Sequence, residues 1–165
     1  MSNSLKVALF GGSFDPPHFG HKAIVDSALR ELSIDRLIII PTFLNPFKSK
    51  SHLSPQERFT LVKEYFNSFK SIEVSDYEIK QKVATPTATT LRYFQNLYSV
   101  KYIIIGADNL QTIDRWYDFK WLNSQITWVV ATRNGYDLDI SKLEDFKILQ
   151  VDANISSTEI RNKRK

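Results

Sequence analysis

Gly11-Gly12-Ser13-Phe14-Asp15-Pro16-Pro17-His18-Phe19-Gly20-His21 follows directly on the apolar run Val7-Ala8-Leu9-Phe10 and reads as a strand, a sharp glycine turn and the start of a helix. Each proline disfavours helical geometry in the residue before it, so Asp15 and Pro16 stay outside the helix and Pro17 is the natural first helical position. His18 and His21 then stand three apart on one face of the first two turns, with only a glycine limiting the bulk between them. The first amides of a helix lack internal partners and the dipole there is positive, so this end attracts anions, phosphate above all.

Outward from that stretch, apolar runs rich in β-branched residues recur at Arg36 to Ile40, Ile72 to Val74, Tyr102 to Ile105, Ile126 to Ala131 and Ile148 to Val151. Near-continuous hydrophobicity, as in Leu37-Ile38-Ile39-Ile40, suits strands covered on both faces, as in a parallel sheet. Helical patterns lie between them: Ile24, Val25, Ala28, Leu29 and Leu32 form one stripe, and Phe59, Leu61, Val62, Tyr65 and Phe66 another. Alternating strand and helix predicts a single-domain α/β protein over residues 1–165, a Rossmann-like doubly wound parallel sheet.

Two capping boxes mark further helix starts. Ser54-Pro55-Gln56-Glu57 opens the helix after the second strand and leaves Pro41 to Leu53 as a loop long enough to cover a ligand. Ser156 and Glu159 open another helix near the end of the chain, with Arg161 in its second turn. In open α/β sheets ligands bind beyond the carboxyl ends of the strands. Gly11 to His21, Pro41 to Lys48, Gly106-Ala107-Asp108, Arg133 and Ser156 to Arg161 each follow a strand, so they are expected to ring one cleft.

The contents of that cleft, two helix N-termini with His18, His21, Lys48 and Arg161, suit a polyphosphate. No G-x-x-x-x-G-K-[ST] loop is present, and no acid or serine is set against a base for covalent catalysis. Positioning and charge stabilisation remain, with Mg²⁺ bridging phosphate oxygens and bound mainly by substrate and water. A neighbouring triphosphate favours the cationic imidazole, so ATP binding is expected to charge the histidine pair.

Embedded in G-G-S-F-D-P-P-H-x-G-H, the histidine pair resembles the signature of the H-x-G-H nucleotidyltransferase superfamily, and the chain is most similar to the bacterial nicotinate mononucleotide adenylyltransferases. Ile155-Ser156-Ser157-Thr158-Glu159-Ile160-Arg161 matches that superfamily's I-S-S-T-x-I-R motif. The resemblance implies ATP contacts at Gly11, Gly12, Ser13, Phe14, His18, His21, Gly106, Asp108, Ile155, Ser156, Ser157, Thr158 and Arg161. It implies nicotinate mononucleotide contacts at Gly12, Ser13, Lys48, Thr87, Trp116, Tyr117 and Arg133, and catalytic roles for His18, His21, Lys48 and Arg161. By residue type alone Trp116 and Tyr117 read equally as core, and Asp108 and Thr87 as helix caps. Asn45-Pro46-Phe47-Lys48 departs from the family's P-P-H-K, so a third histidine is absent there. The implied reaction is adenylyl transfer from ATP to nicotinate mononucleotide. Transfer to the amide mononucleotide or to pantetheine phosphate, and a non-catalytic nucleotide-binding regulator, are the alternatives.

Composition limits the other classes. The chain has 165 residues and no cysteine, which excludes disulfides, thiolate catalysis and cysteine-ligated zinc. Its net charge of +4 equals the four cations Arg161, Lys163, Arg164 and Lys165 at the C-terminus, so no nucleic-acid partner is expected. No apolar run approaches membrane-spanning length and the first residues lack a signal-like core, so a cytoplasmic location without membrane contact is expected. A homodimer is left open.

Overall fold

The structure, a computed structural model, describes residues 5–43, 53–132 and 138–151. Six parallel strands, β1 (Lys6–Gly12), β2 (Arg36–Pro41), β3 (Ile72–Val74), β4 (Ser99–Gly106), β5 (Thr127–Thr132) and β6 (Phe146–Gln150), form one sheet in the order β3-β2-β1-β4-β5-β6. The order reverses between β1 and β4, which is the doubly wound arrangement expected from the alternation of strand and helix.

Alternation within the strands explains why the runs are continuously apolar. Val7 and Leu9 of β1, Ile38 and Ile40 of β2, Ile103 and Ile105 of β4, and Trp128 and Val130 of β5 enter one core, while their neighbours Ala8, Phe10, Leu37, Ile39, Ile104, Val129 and Ala131 enter the other. Helices α1 (Phe19–Glu31) and α2 (Pro55–Tyr65) seal the second face with Val25, Ala28 and Val62. On the first face the short α3 (Tyr77–Gln81) precedes α4 (Thr87–Gln95) and α5 (Phe119–Gln125), which seal it with Leu91, Phe94 and Leu122. Two 3₁₀ turns, Ala107–Gln111 and Ile113–Arg115, connect β4 to α5.

Three expectations about the helices need correction. Helix α1 starts at Phe19, not Pro17, because the His18 side chain itself caps it. In α2 the capping box of Ser54 and Glu57 forms as expected, but the buried stripe is Arg58, Val62 and Phe66, and Leu61 is exposed. Adjacent residues on a helix are about 100° apart, so Val62 facing the sheet turns Leu61 toward solvent. Thr87 does not cap α4: Pro86 holds the cap position and no side chain bonds the free amides.

Helices α3 and α4 are joined by a buried acid. The Thr90 hydroxyl donates to Glu78 Oε2 at 2.6 Å, and burial pushes the Glu78 carboxyl up to about 7 against the opposing pull of that bond. A folded-state pKa above the unfolded 4.5 stabilises the fold fully below pH 4.5, and the contribution is lost as pH rises through 7. Glu78→Gln keeps an acceptor for Thr90 without the charge. Its melting temperature is expected to match the parent's near pH 4.5 and to exceed it by several degrees at pH 8, a gain of up to about 3 kcal/mol. Thermal unfolding at both pH values checks this, and an equal shift at both would contradict it.

Candidate active site

Because every strand is parallel, the carboxyl ends of β1, β4 and β5 lie on one edge, where Gly106 pairs with Ala131 and Gly12 with Pro41. A cleft of about 640 Å³ opens there, with His18, Gly20 and His21 on one wall and Gly106, Asp108 and Thr132 on another.

The histidine pair is built by the helix start. His18 is the N-cap of α1, with extended backbone, and its Nδ1 accepts the Gly20 N–H at 2.9 Å. His21, three residues on, accepts the His18 N–H on its own Nδ1 at 3.0 Å. The two thus form a capping box in which imidazoles replace the usual serine and glutamate. Their ring centroids lie 3.9 Å apart, so both rings serve one spot, as the three-residue spacing predicted. With Nδ1 of each ring occupied as an acceptor, the neutral form carries its proton on Nε2. Burial, and secondarily the His18 ring, lower the His21 pKa to about 3. Without nucleotide His21 is therefore neutral at pH 7: a second proton on Nδ1 would face an N–H donor at the positive end of a helix.

The glycine turn before the helix is tightly supported. A Cβ on Gly12 would come within 3.2 Å of the Phe14 ring, which is itself fully buried and lies edge-on to Phe10 and against His21. A ligand at this turn can therefore meet the Phe14 backbone but not its ring. At the far wall a Cβ on Gly106 would lie 2.8 Å from Asp108 Oδ1, so the missing side chain lets this carboxylate fold back over the strand end. Asp108 is exposed and caps nothing, since the 3₁₀ turn has its cap at Gly106 without a side-chain bond.

The same wall carries residues that sequence reasoning passed over. Lys142 Nζ donates to the carbonyls of Leu110 and Gln111 at 3.2 and 3.0 Å and pairs with Asp114 at 3.2 Å. Its own carbonyl accepts from Asn123, whose Oδ1 also takes the Trp128 indole N–H. These bonds tie the β5–β6 connection to the segment bearing Asp108. Asp139, also on the cleft, is held below the usual carboxylate range by Ser141 and then Lys142. Thr132 ends β5, a position the sheet rule alone marks as facing ligand.

Thr87, Trp116 and Tyr117 do not line this cleft. Trp116 is half-buried, packs edge-on to Trp128, and has an Nε1–H without a hydrogen-bond partner among the described residues. Tyr117 is 63% exposed, so its reading as core fails. Lys48, Arg133, Ile155, Ser156, Ser157, Thr158 and Arg161 lie outside the described residues. Among the described residues no group of three or more His, Cys, Asp or Glu side chains could hold a metal ion, and no helix is long and apolar enough to cross a membrane.

A parallel sheet with an anion-seeking helix end and paired imidazoles at its switch point defines a nucleotidyltransferase, and the chain belongs to the cytidylyltransferase-like family, whose model matches residues 9–163. Within it, relatives similar to the chain over nearly its whole length carry the name of nicotinate-nucleotide adenylyltransferases, in line with the motifs. The chain is 48% identical to the protein named "probable nicotinate-nucleotide adenylyltransferase" in Sulfurovum sp. (strain NBC37-1), over 96% of this chain and 85% of the relative. A protein of the same name in Aliarcobacter butzleri (strain RM4018) is also 48% identical, over 95% and 86%. The fold matches that of the Plasmodium falciparum nicotinic acid mononucleotide adenylyltransferase complexed with NaAD, at a TM-score of 0.74 and 21% identity, over 95% of this chain and 82% of that one.

Proposed function

We propose that this enzyme transfers the adenylyl group of ATP to the phosphate of nicotinate mononucleotide, forming nicotinate adenine dinucleotide and pyrophosphate. The observation that carries the reading is the imidazole capping box, two rings 3.9 Å apart at a helix N-terminus on the wall of the cleft. Relatives at 42–48% identity that bear the adenylyltransferase name support the choice of substrates.

In the reaction an oxygen of the acceptor phosphate attacks the α-phosphorus of ATP, and the bond from that phosphorus to the bridging oxygen of the leaving pyrophosphate breaks. Negative charge moves onto the pyrophosphate. Hydrogen bonds from the two Nε2–H groups strengthen as that charge grows, which is the condition for speeding the step and not only binding the substrate. The first turn of α1 adds its dipole. Asp108 and Asp139, on the cleft away from the histidines in sequence, are acceptors of the kind that hold ribose hydroxyls. Lys48 and Arg161 are proposed to meet phosphate charge, and Ser156 to Thr158 to offer a second helix start.

Among the described residues the acids lining the cleft are Asp108 and Asp139, which suits a magnesium ion that keeps phosphate and water ligands, since such an ion needs few protein carboxylates. When bound, Mg²⁺ would neutralise phosphate charge, and either aspartate could hold one of its waters. We place the reaction in the cytoplasm, with two small-molecule substrates as partners.

The test is an acceptor comparison. With ATP and Mg²⁺, pyrophosphate release is expected to be fastest with nicotinate mononucleotide, and slower with its amide and with phosphopantetheine. Equal or better use of the amide removes the acceptor assignment, and tight ATP binding without release from any acceptor indicates a regulator.

A further inference from the structure

Arg58 is completely buried in the middle of the α2 stripe, where an apolar residue would pack at no electrostatic cost. Its guanidinium reaches three separate stretches of backbone. Nη1 donates to the Ser13 carbonyl at 2.8 Å, Nη2 to the Phe43 carbonyl at 2.9 Å, and Nε to the Leu53 carbonyl at 3.4 Å. Asp15 completes the joint: its Oδ1 accepts the Leu53 N–H at 3.0 Å and its charge faces Arg58. The Gly12 carbonyl, in turn, accepts the Thr42 N–H at 3.0 Å.

We infer that Arg58 is a positioning residue of the transfer reaction, setting the Ser13–Phe14 peptide plane of the phosphate turn from behind. The inference deepens the proposed function and rests on it. Ser13 lies in the turn between β1 and the imidazole cap, and its peptide bond to Phe14 is trans. In a trans peptide the N–H points opposite to the carbonyl, so holding the Ser13 carbonyl toward Arg58 turns the Phe14 N–H away from it. No hydrogen bond to that N–H forms among the described residues. Phe14 has φ +50, a backbone region that L side chains seldom enter, so the turn needs an external hold to keep this orientation. Arginine suits this position because it is planar. One rigid fork can bond carbonyls from three directions, whereas a lysine ammonium is a single point of charge.

The experiment compares Arg58→Lys, Arg58→Gln and Val62→Ala with the parent. Val62 is fully buried one turn further along α2 and its apolar side chain can donate no hydrogen bond to these carbonyls, so its truncation reports the cost of lost stability. Each protein is assayed well below its melting temperature, and affinity for a non-hydrolysable ATP analogue is measured by calorimetry. Arg58→Lys is expected to lose about 10–100-fold in kcat/KM, as for a displaced positioning group, with Val62→Ala within about twofold of the parent. Loss in Arg58→Lys no greater than in a Val62→Ala protein of equal melting temperature overturns the inference, as does full activity in Arg58→Lys. If Arg58→Gln does not fold, the lysine variant decides alone. A parent protein that binds the analogue but transfers no adenylyl group removes the proposed function, and Arg58 is then judged on analogue affinity by the same comparison.

Discussion

His18→Asn and His21→Gln are expected to lower kcat by about 10²–10³-fold, the usual loss when one preorganised donor is removed from developing charge, while the melting temperature stays within a few degrees of the parent's. The choice of replacements follows from the cap. Asparagine at position 18 still offers a side-chain oxygen to the Gly20 N–H, and glutamine at position 21 still reaches back to the His18 N–H, so both halves of the capping box survive. What each variant loses is the imidazole Nε2–H across the ring from the cap bond; the amide –NH₂ that replaces it is attached to the same carbon as the capping oxygen and stands elsewhere. Alanine at either position removes the cap as well and is expected to cost about 1 kcal/mol more in stability. Steady-state kinetics beside thermal unfolding separates the two roles. Near-parent turnover in both cap-preserving variants would mean the rings serve only to start the helix.

The sheet was legible in the sequence because its chemistry is repetitive. Leu37 to Ile40 and Ile103 to Ile105 are buried on both sides, so their hydrophobicity marks them without any knowledge of neighbours. At the sheet edge this signal weakens: β6 begins with the exposed Phe146 and Lys147, two residues before the expected start at Ile148. Short helices such as α3, with five residues, carry too few turns to show a period.

The site was legible where it depends on local spacing and hidden where it depends on tertiary contact. His18 and His21 meet because they are three residues apart, and the glycine-proline context named them. Arg58 reads as a solvent-facing charge until Ser13, 45 residues away, is seen to accept its bond. Lys142 likewise acquires meaning only from Leu110, Gln111 and Asp114. The helix start was misplaced for a chemical reason: histidine is outside the usual set of capping residues, although its Nδ1 accepts an N–H as a serine oxygen does.

Turnover with both substrates saturating is expected to change by less than about twofold between pH 7 and 8.5, a range above the last phosphate ionisations near 6. The proposed reading has the rings act as neutral donors and not as cations. His21 starts at about 3. A bound triphosphate raises the pKa from that starting point, and the prediction is that burial and the cap bond to Nδ1 keep His21 neutral at pH 7 all the same. A cationic mechanism predicts the reverse, a tenfold fall for each pH unit above the imidazole pKa. The same shift gives the acid limb its sign. A histidine lowered from 6.5 to about 3 on folding contributes stability above pH 6.5 that is lost as pH falls toward 3, because the unfolded chain takes up the proton first. A pH–rate profile, together with ¹⁵N chemical shifts of the imidazoles in the presence of a non-hydrolysable ATP analogue, tests both halves. Loss of rate in proportion to rising pH above 7, or shifts typical of a doubly protonated ring on His21 at pH 7, would return the charge to the pair and require the cap bonds to Nδ1 to break when nucleotide binds.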